Sequence, residues 1–420
     1  MKRIVIIGGG TAGLFSAILL KKNCPDYEVM VLERLERVGK KILATGNGRC
    51  NFSNVNVEPT KYNNPMFVTP FIKNVDSKNI ISIMEELGLV TTIDSEGRIY
   101  PYSESANSFL DILRINLKTY GVIEKCNFEV SKISKTSGKV PTYIIEDTRK
   151  QVVEANYVIL AAGGKASPVL GSNGTGYNLL KPWHVKVTPI EPGLVGVKVD
   201  AASIKGLSGL RVKAKVSLFD KKAKQKVWSE CGEVLFKDDG LSGIVIMQMA
   251  SVIARSNISK ANNNYYFELD LMPQYDDNQL IELLLKRKDS MKTLENSEFL
   301  NGMLMKVLGF NIIKRSKLDL SQYIGDLSNR DIIRLSSIIK NYSLEYKGLY
   351  NFDRAQVTVG GIDLSEVDKK TLELLKLPNV YACGEILDVD GECGGYNMHF
   401  ALASAYAVAN AIKEKCEQNE

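Results

Sequence analysis

The chain opens on a short apolar run, residues 4–7 (Ile-Val-Ile-Ile). Gly8-x-Gly10-x-x-Gly13 follows at once, and residues 14–20 continue with apolar positions at helical spacing. A second apolar run, residues 29–32, ends on Glu33, 20 residues after Gly13. The pattern predicts strand, glycine turn, helix and second strand. Gly8 permits the tight turn, Gly10 lets backbone approach a pyrophosphate, and Gly13 lets helix and sheet pack closely. Thr11 and Ala12 fall in the first helical turn, where free N–H groups and the positive end of the helix dipole attract phosphate. Glu33 is placed to accept hydrogen bonds from an adenosine ribose with a free 2′-hydroxyl. The stretch therefore binds a dinucleotide, NAD or FAD.

Further along, residues 78–90 and 105–120 keep helical spacing, with Gly88 and Gly121 as stops. Phe128, Val130 and Ile133 suggest a strand. Residues 143–145, a polar turn at 147–150, residues 152–153 and residues 157–161 are read as completing a small β-meander. Residues 157–161 run into Ala162-Gly163-Gly164, an end at which backbone can approach a ligand. Gly171, Gly174 and Gly176, leading to Tyr177, form a second glycine-rich loop, but their spacing is wrong for another dinucleotide fingerprint.

From Pro189 the texture changes. Val195, Val197 and Val199 alternate, as do Val212, Ala214, Val216 and Leu218, and residues 234–236 lead into 240–243. Several short strands so close together predict an inserted antiparallel sheet or small barrel. Residues 244–254 read as a helix. Residues 276–340 carry helical spacing, with Leu280, Leu283, Leu284, Leu304, Val307 and Leu308 expected in the core, and residues 343–350 return to the inserted sheet. Residues 356–361 and 379–385 are strand-then-glycine patterns. Gly394-Gly395-Tyr396-Asn397 then opens a helix whose apolar side carries Phe400, Leu402, Ala405, Val408 and Ile412. The expected fold is α/β, with a cofactor domain at residues 1–188 and 351–420. An inserted β domain at 189–272 and 342–350 and a helical domain at 273–341 interrupt it.

Composition narrows the function class. With 420 residues, 45% apolar and 24% charged, the chain suits a globular protein of two or three domains. Seven cysteines without a CxxC pair suit a reducing cytoplasm. Only His184 and His399 occur, in no ligand-spaced cluster, so no metal is expected. No apolar stretch is long enough to span a bilayer, and the first ten residues are too short in their apolar part for an export signal. The net charge is +6, and its densest run, residues 221–226, reads as a solvated hairpin tip, so no nucleic-acid partner is expected.

Between Glu33 and Asn51 lies a glycine-punctuated segment rich in donors: Arg34, Lys41, Gly46, Asn47, Gly48, Arg49 and Cys50. The combination of GGGTAG, GKKILATGNGRCN and, far downstream, CGEILDVDGECGGYN resembles the HI0933-like, or YhiN-like, FAD-binding flavoproteins, nearly end to end. That group includes aminoacetone oxidases and 3-dehydro-bile-acid reductases. The resemblance implies a glutathione-reductase-like FAD domain, a Rossmann-type sheet plus β-meander, carrying a barrel-like and a helical insertion. By resemblance, backbone near Val130 faces the adenine, and the Tyr100-Pro101 segment and the 171–177 loop approach the cofactor. Gly384-Glu385 takes the place of the pair that holds the ribityl chain. The sequence departs from the family in having Ile244 where proline is usual and His399 where glutamine is usual.

The expected cofactor-binding set is Gly8, Gly10, Thr11, Ala12, Gly13, Glu33, Arg34, Lys41, Gly46, Asn47, Gly48, Arg49, Cys50, Val130, Ala162, Gly163, Gly384, Glu385, Gly395, Tyr396 and Asn397. A helix starting at Tyr396 would offer backbone N–H groups to the flavin C2 carbonyl, which favours FAD over NAD. His399, Tyr396 and Arg49 are the candidates for chemistry, with histidine and tyrosine as proton donors; Cys50 reads as a packed thiol.

The expected reaction is hydride transfer through flavin N5 to or from a small or apolar carbonyl-type substrate. A steroid-like or bile-acid-like enone is the leading case, with NADH or NADPH as transient donor, since no second fingerprint exists. The alternatives are an amine or aminoketone oxidase using dioxygen, and a flavoprotein that binds or modifies RNA. Oligomeric state and covalent attachment of FAD are left open.

Overall fold

The computed structural model describes residues 2–137, 142–256 and 265–418. The chain divides into two compact units, Met1–Gly193 with Phe352–Glu420, and Leu194–Asn351.

The first unit is built on a five-stranded parallel sheet. Its order is Val380–Ala382 (β19), Tyr157–Leu160 (β10), Arg3–Ile7 (β1), Glu28–Leu32 (β2) and Ile123–Lys125 (β6). The central strands are apolar at successive positions because both faces of such a sheet are covered. Helix α1, Thr11–Asn23, packs against α10, Tyr396–Gln418, and α4, Ala106–Tyr120, and is buried from Ala12 to Leu20. First and last helices are thereby neighbours. Gly121 ends α4 with φ +75°, the left-handed cap that a residue without Cβ accepts most easily.

Smaller sheets surround this core. Val130–Lys135 (β7), Tyr143–Asp147 (β8) and Val152–Ala155 (β9) form the antiparallel meander. Its turn is fixed by the buried Asp147 carboxylate, which accepts from the N–H groups of Arg149 and Gln151. Ser53–Asn54 (β3), Thr91–Ile93 (β4) and Arg98–Pro101 (β5) form another sheet, with helices Pro65–Asn74 (α2) and Ser77–Glu86 (α3) between β3 and β4 in the chain. Thr175–Asn178 is a single helical turn (α5). Glu191–Gly193 (β11) pairs with Val357–Val359 (β18).

The second unit contains a closed six-stranded barrel in the order Val197–Val199 (β12), Gly240–Ser242 (β15), Gln225–Phe236 (β14), Arg211–Asp220 (β13), Tyr265–Asp270 (β16) and Tyr342–Leu349 (β17). Inward positions alternate with polar outward ones, as in Ala214, Val216 and Leu218 of β13. The unit also holds helices Ile244–Arg255 (α6), Asp277–Ser290 (α7), Lys306–Arg315 (α8) and Asn329–Lys340 (α9). Capping boxes at Asp276/Gln279 and Ser328/Asp331 start α7 and α9.

Two expectations are corrected, and one helix escaped the sequence reading. Residues 157–160 belong to the parallel sheet between β1 and β19 and not to the meander, because all four side chains are buried, which an edge meander strand could not achieve. Val307, expected in the core, is 50% exposed, while Leu308 beside it is fully buried. Helix α2 went unread because Pro65 and Pro70 mask its spacing, though Pro65 at its first turn is a favourable start.

Candidate cofactor and active site

All the predicted site residues lie in the first unit. Gly8 closes β1 with φ +111°, and a Cβ there would collide with the Ala161 carbonyl at the end of β10. Gly13 is equally constrained, since its Cβ would overlap the Gly8 carbonyl oxygen. Gly10, the N-cap of α1, is different: nothing lies within 4 Å of where its Cβ would be. The helix thus presents an open, donor-rich end formed by Gly10, Thr11 and Ala12, as a phosphate cradle requires.

Glu33 stands at the end of β2, its carboxylate accepting from Gly9 N–H at 2.9 Å and Leu35 N–H at 2.8 Å. The meander joins the same corner, since Phe128 N–H donates to the Glu33 carbonyl two residues before Val130. Arg34 turns toward Glu129, at 4.0 Å.

The C-terminal glycine turn arrives beside α1. A Cβ on Gly384 would lie 3.0 Å from the Ala12 methyl and 3.8 Å from that of Ala401 in α10. Gly384 N–H donates to Ser404 Oγ, which fixes the turn on α10. Lys41 Nζ lies 2.6 Å from Glu385 Oε2, and Thr358 N–H donates to Glu385 Oε1 at 2.9 Å. Thr358 Oγ1 also accepts from the N–H groups of Lys165 and Ala166, just after Ala162-Gly163-Gly164. Two glycine turns and the lysine loop therefore meet at one place.

One buried polar group there has no partner among the described residues. The Tyr177 hydroxyl makes no hydrogen bond. Burial, with Glu385 and Asp388 nearby, pushes its pKa well above the ordinary tyrosine value, so it stays a protonated donor. An unanswered donor costs about 1–3 kcal/mol unless a ligand meets it. Together with the open Gly10 cradle, this fits a large ligand carrying phosphates and hydroxyls, and FAD is such a ligand.

A second cluster surrounds the start of α10. Gly46 and Asn47 are both left-handed, at φ 57° and 56°, and Gly48 follows at φ 83°, curling the loop before Arg49 and Cys50. Arg49 lies 3.2 Å from Glu104, with its guanidinium over the buried Tyr100 ring. The Cys50 thiol is fully buried and pushed up to about 12 by desolvation, which makes it a packed, unreactive group. Gly395 has φ +101°, and any Cβ on it would strike the Ser53 carbonyl. Asn54 donates to the Gly394 carbonyl at 3.0 Å, and Asn397 brackets the preceding loop by bonding Gly391 N–H and C=O. Tyr62 OH donates to the Tyr396 carbonyl.

His399 is not the proton donor that the sequence suggested. Its ring is 0% exposed, with Ser53 Oγ 2.8 Å from Nδ1 and the Val75 carbonyl 3.0 Å from Nε2. Desolvation lowers its pKa to about 4, so it is neutral near pH 7 and serves as a buried tie between β3, α2 and α10. Burial holds the Tyr396 pKa above its ordinary value, and Tyr396 lines a cavity of about 470 Å³ together with Asn56, Val57, Glu58 and Lys61. Four of these five residues are polar. Sequence reasoning missed Asn56, Lys61 and Thr358; of these only Thr358 carries a signal, sitting in a strand that ends on Gly360-Gly361.

The model of the HI0933-like protein Rossmann domain matches residues 2–411. The chain belongs to that family. Members of the HI0933-like family are FAD-dependent oxidoreductases, so this chain is an enzyme of that kind. A 3-dehydro-bile acid delta(4,6)-reductase of Clostridium scindens is 33% identical over 417 residues, covering 99% of this chain and 100% of the relative. Ribosomal RNA dihydrouridine synthases of Haemophilus influenzae and Escherichia coli are 26% and 27% identical, covering 98% and 97% of this chain and the same shares of theirs. A 3-ketosteroid-delta4-(5alpha)-dehydrogenase of Rhodococcus jostii, solved with 4-androstene-3,17-dione, matches with TM-score 0.50 at 13% identity over 98% of this chain and 97% of its own. At that identity the likeness speaks to the fold. No described helix is long and apolar enough to cross a membrane.

Proposed function

We propose that the chain is a flavin-dependent ene reductase, which adds a hydride and a proton across a C=C bond conjugated to a carbonyl. The bile-acid reductase and the dihydrouridine synthases differ in substrate, but the name of each describes saturation of such a bond. The observation that carries the reading is the meeting of both chain ends at the Lys41–Glu385 pair, beside the open N-terminus of α1.

Gly10, Thr11 and Ala12 would hold the phosphates, Glu33 the ribose, and Glu385 with the Tyr177 hydroxyl the ribityl chain. When bound and reduced, FAD supplies the hydride, delivered to the carbon β to the carbonyl. Tyr396, which keeps its proton through the neutral range, is the donor to the α carbon. Lys61, 3.2 Å from Glu392 at the cavity's edge, can polarise a substrate oxygen. NADH or NADPH is the two-electron source in this reading.

The cavity lining bears on the substrate. A sterol needs apolar walls, whereas Asn56, Glu58, Lys61 and Tyr396 suit a compact polar heterocycle with its own donors and acceptors. We therefore favour a uracil ring over a steroid enone. The test is anaerobic: FAD-loaded enzyme is reduced with NADH or NADPH, then mixed with a 3-oxo-4-ene steroid, with uridine, or with a uridine-containing RNA. Reoxidation of the flavin by a uracil is expected. Failure of every conjugated C=C to reoxidise it, with rapid reoxidation by dioxygen, would instead establish the oxidase.

A further inference from the structure

We infer that the outer face of the barrel, at the turn between β13 and β14, is a docking surface for single-stranded RNA, centred on the stacked rings of Phe219 and Tyr266. The inference rests on the uracil reading above and extends it to a second place on the chain, in the other compact unit.

The charge is concentrated here. Residues 211–236 hold seven basic side chains against three acidic ones, a net +4, where the whole chain carries +6. Arg211, Lys213 and Lys215 project outward along β13, alternating with buried Ala214, Val216 and Leu218. At the turn Lys221, Lys222, Lys224 and Lys226 are all exposed. A lysine-rich turn by itself is only a solvated tip.

What the linear sequence could not show is an aromatic pair among those lysines. Phe219 and Tyr266 are cross-strand partners whose ring centroids lie 5.1 Å apart, with planes only 13° from parallel. Both are partly exposed, on the outward side of the sheet. Lys226 is the cross-strand partner of Phe219 on one flank. On the other, Tyr266 pairs with Glu345, whose carboxylate is bound at 2.9 Å by both Lys221 and Lys347. The Glu345 carboxylate beside the rings is thus met by two ammonium groups, while Glu268 and Asp220 also lie close to the tyrosines of β16.

Flat rings among lysines meet the two needs of a single strand: bases stack on the rings and phosphates sit among the cations. A folded protein partner would call for a broader apolar patch, and a duplex hides its base faces. An aromatic pair in a sheet can also exist only to brace the two strands, and the measurement separates these cases.

The experiment is fluorescence anisotropy of a labelled single-stranded RNA against the full-length, FAD-loaded protein, at low and at physiological salt. Binding that weakens with salt is expected. The triple change Lys222→Ala, Lys224→Ala and Lys226→Ala should lower the log–log salt slope by about two. Tyr266→Leu and Phe219→Leu should each weaken binding about tenfold. All of these should keep FAD affinity and flavin reoxidation by a free small acceptor unchanged, since all of them lie outside the unit that holds the cofactor-site residues. No binding at low salt would overturn the inference. So would binding that heparin or duplex DNA matches and that ignores the ring changes, because the patch would then be only a charge cluster. RNA binding without uracil turnover would sink the substrate reading and leave this surface standing; uracil turnover without RNA binding would do the reverse.

Discussion

Lys41 Nζ and Glu385 Oε2 lie 2.6 Å apart, although 344 residues separate them in the chain. Their side chains are 25% and 22% exposed, so water screens the pair only in part. This contact joins the loop that leaves the first Rossmann strand pair to the turn that precedes the last helix. Lys41→Met or Glu385→Gln alone should lower FAD affinity about tenfold, a loss of roughly 1.4 kcal/mol. Thermal midpoints of both single variants and the double variant give the coupling directly; strict additivity would mean that the pair does not form in solution.

The glycines of the first turn should not respond alike to a single methyl group. Gly10→Ala adds a Cβ into open space at an ordinary φ of −86°, so the FAD-free fold should keep its melting temperature while FAD binding weakens tenfold or more. Gly13→Ala drives its Cβ into the Gly8 carbonyl and should yield little folded protein. Equal damage from both would deny that Gly10 faces a ligand. Flavin fluorescence quenching and differential scanning fluorimetry read the two effects separately.

Tyr177→Phe removes a buried hydroxyl that has no partner among the described residues. Without FAD this should be neutral or slightly stabilising, because an unanswered donor is removed. With FAD it should cost about 1 kcal/mol of binding, near fivefold in affinity. The opposite signs are the signature, and a variant that binds FAD as tightly as the parent would show that the hydroxyl never meets the cofactor.

His399 makes stability depend on acid. Its pKa falls from the ordinary 6.5 to about 4 in the folded chain, so the unfolded chain binds the extra proton between those values. The stabilisation is therefore complete above pH 6.5 and is lost as pH falls toward 4, by about 3 kcal/mol in all. Thermal midpoints across that range should fall more steeply for the parent than for His399→Gln, whose amide can still bond Ser53 and Val75 without titrating. Parallel slopes would remove His399 as the source.

Much of this architecture was legible before any coordinates. Glycine spacing, an apolar run on each side and an acid at the second strand's end define the Rossmann entry, because backbone freedom and burial are local properties. Alternation in residues 212–218 likewise foretold barrel strands, since a pleated strand must send every second side chain inward. The segment at 157–160 shows the limit. Four buried residues announced a strand, but only the assembled parallel sheet showed that its neighbours are β1 and β19.

The sequence by itself determined which stretches bury a face and where the backbone must turn, and it led to the expectation that a phosphate-bearing dinucleotide meets the first helix. Tertiary structure alone decided what each face is buried against: His399 to Ser53 and Val75, Lys41 to Glu385, Phe219 to Tyr266. The reason is physical. Periodicity records how often a side chain leaves water, which is set within a few residues, whereas a partner hundreds of residues away is chosen by packing and charge balance over the whole fold.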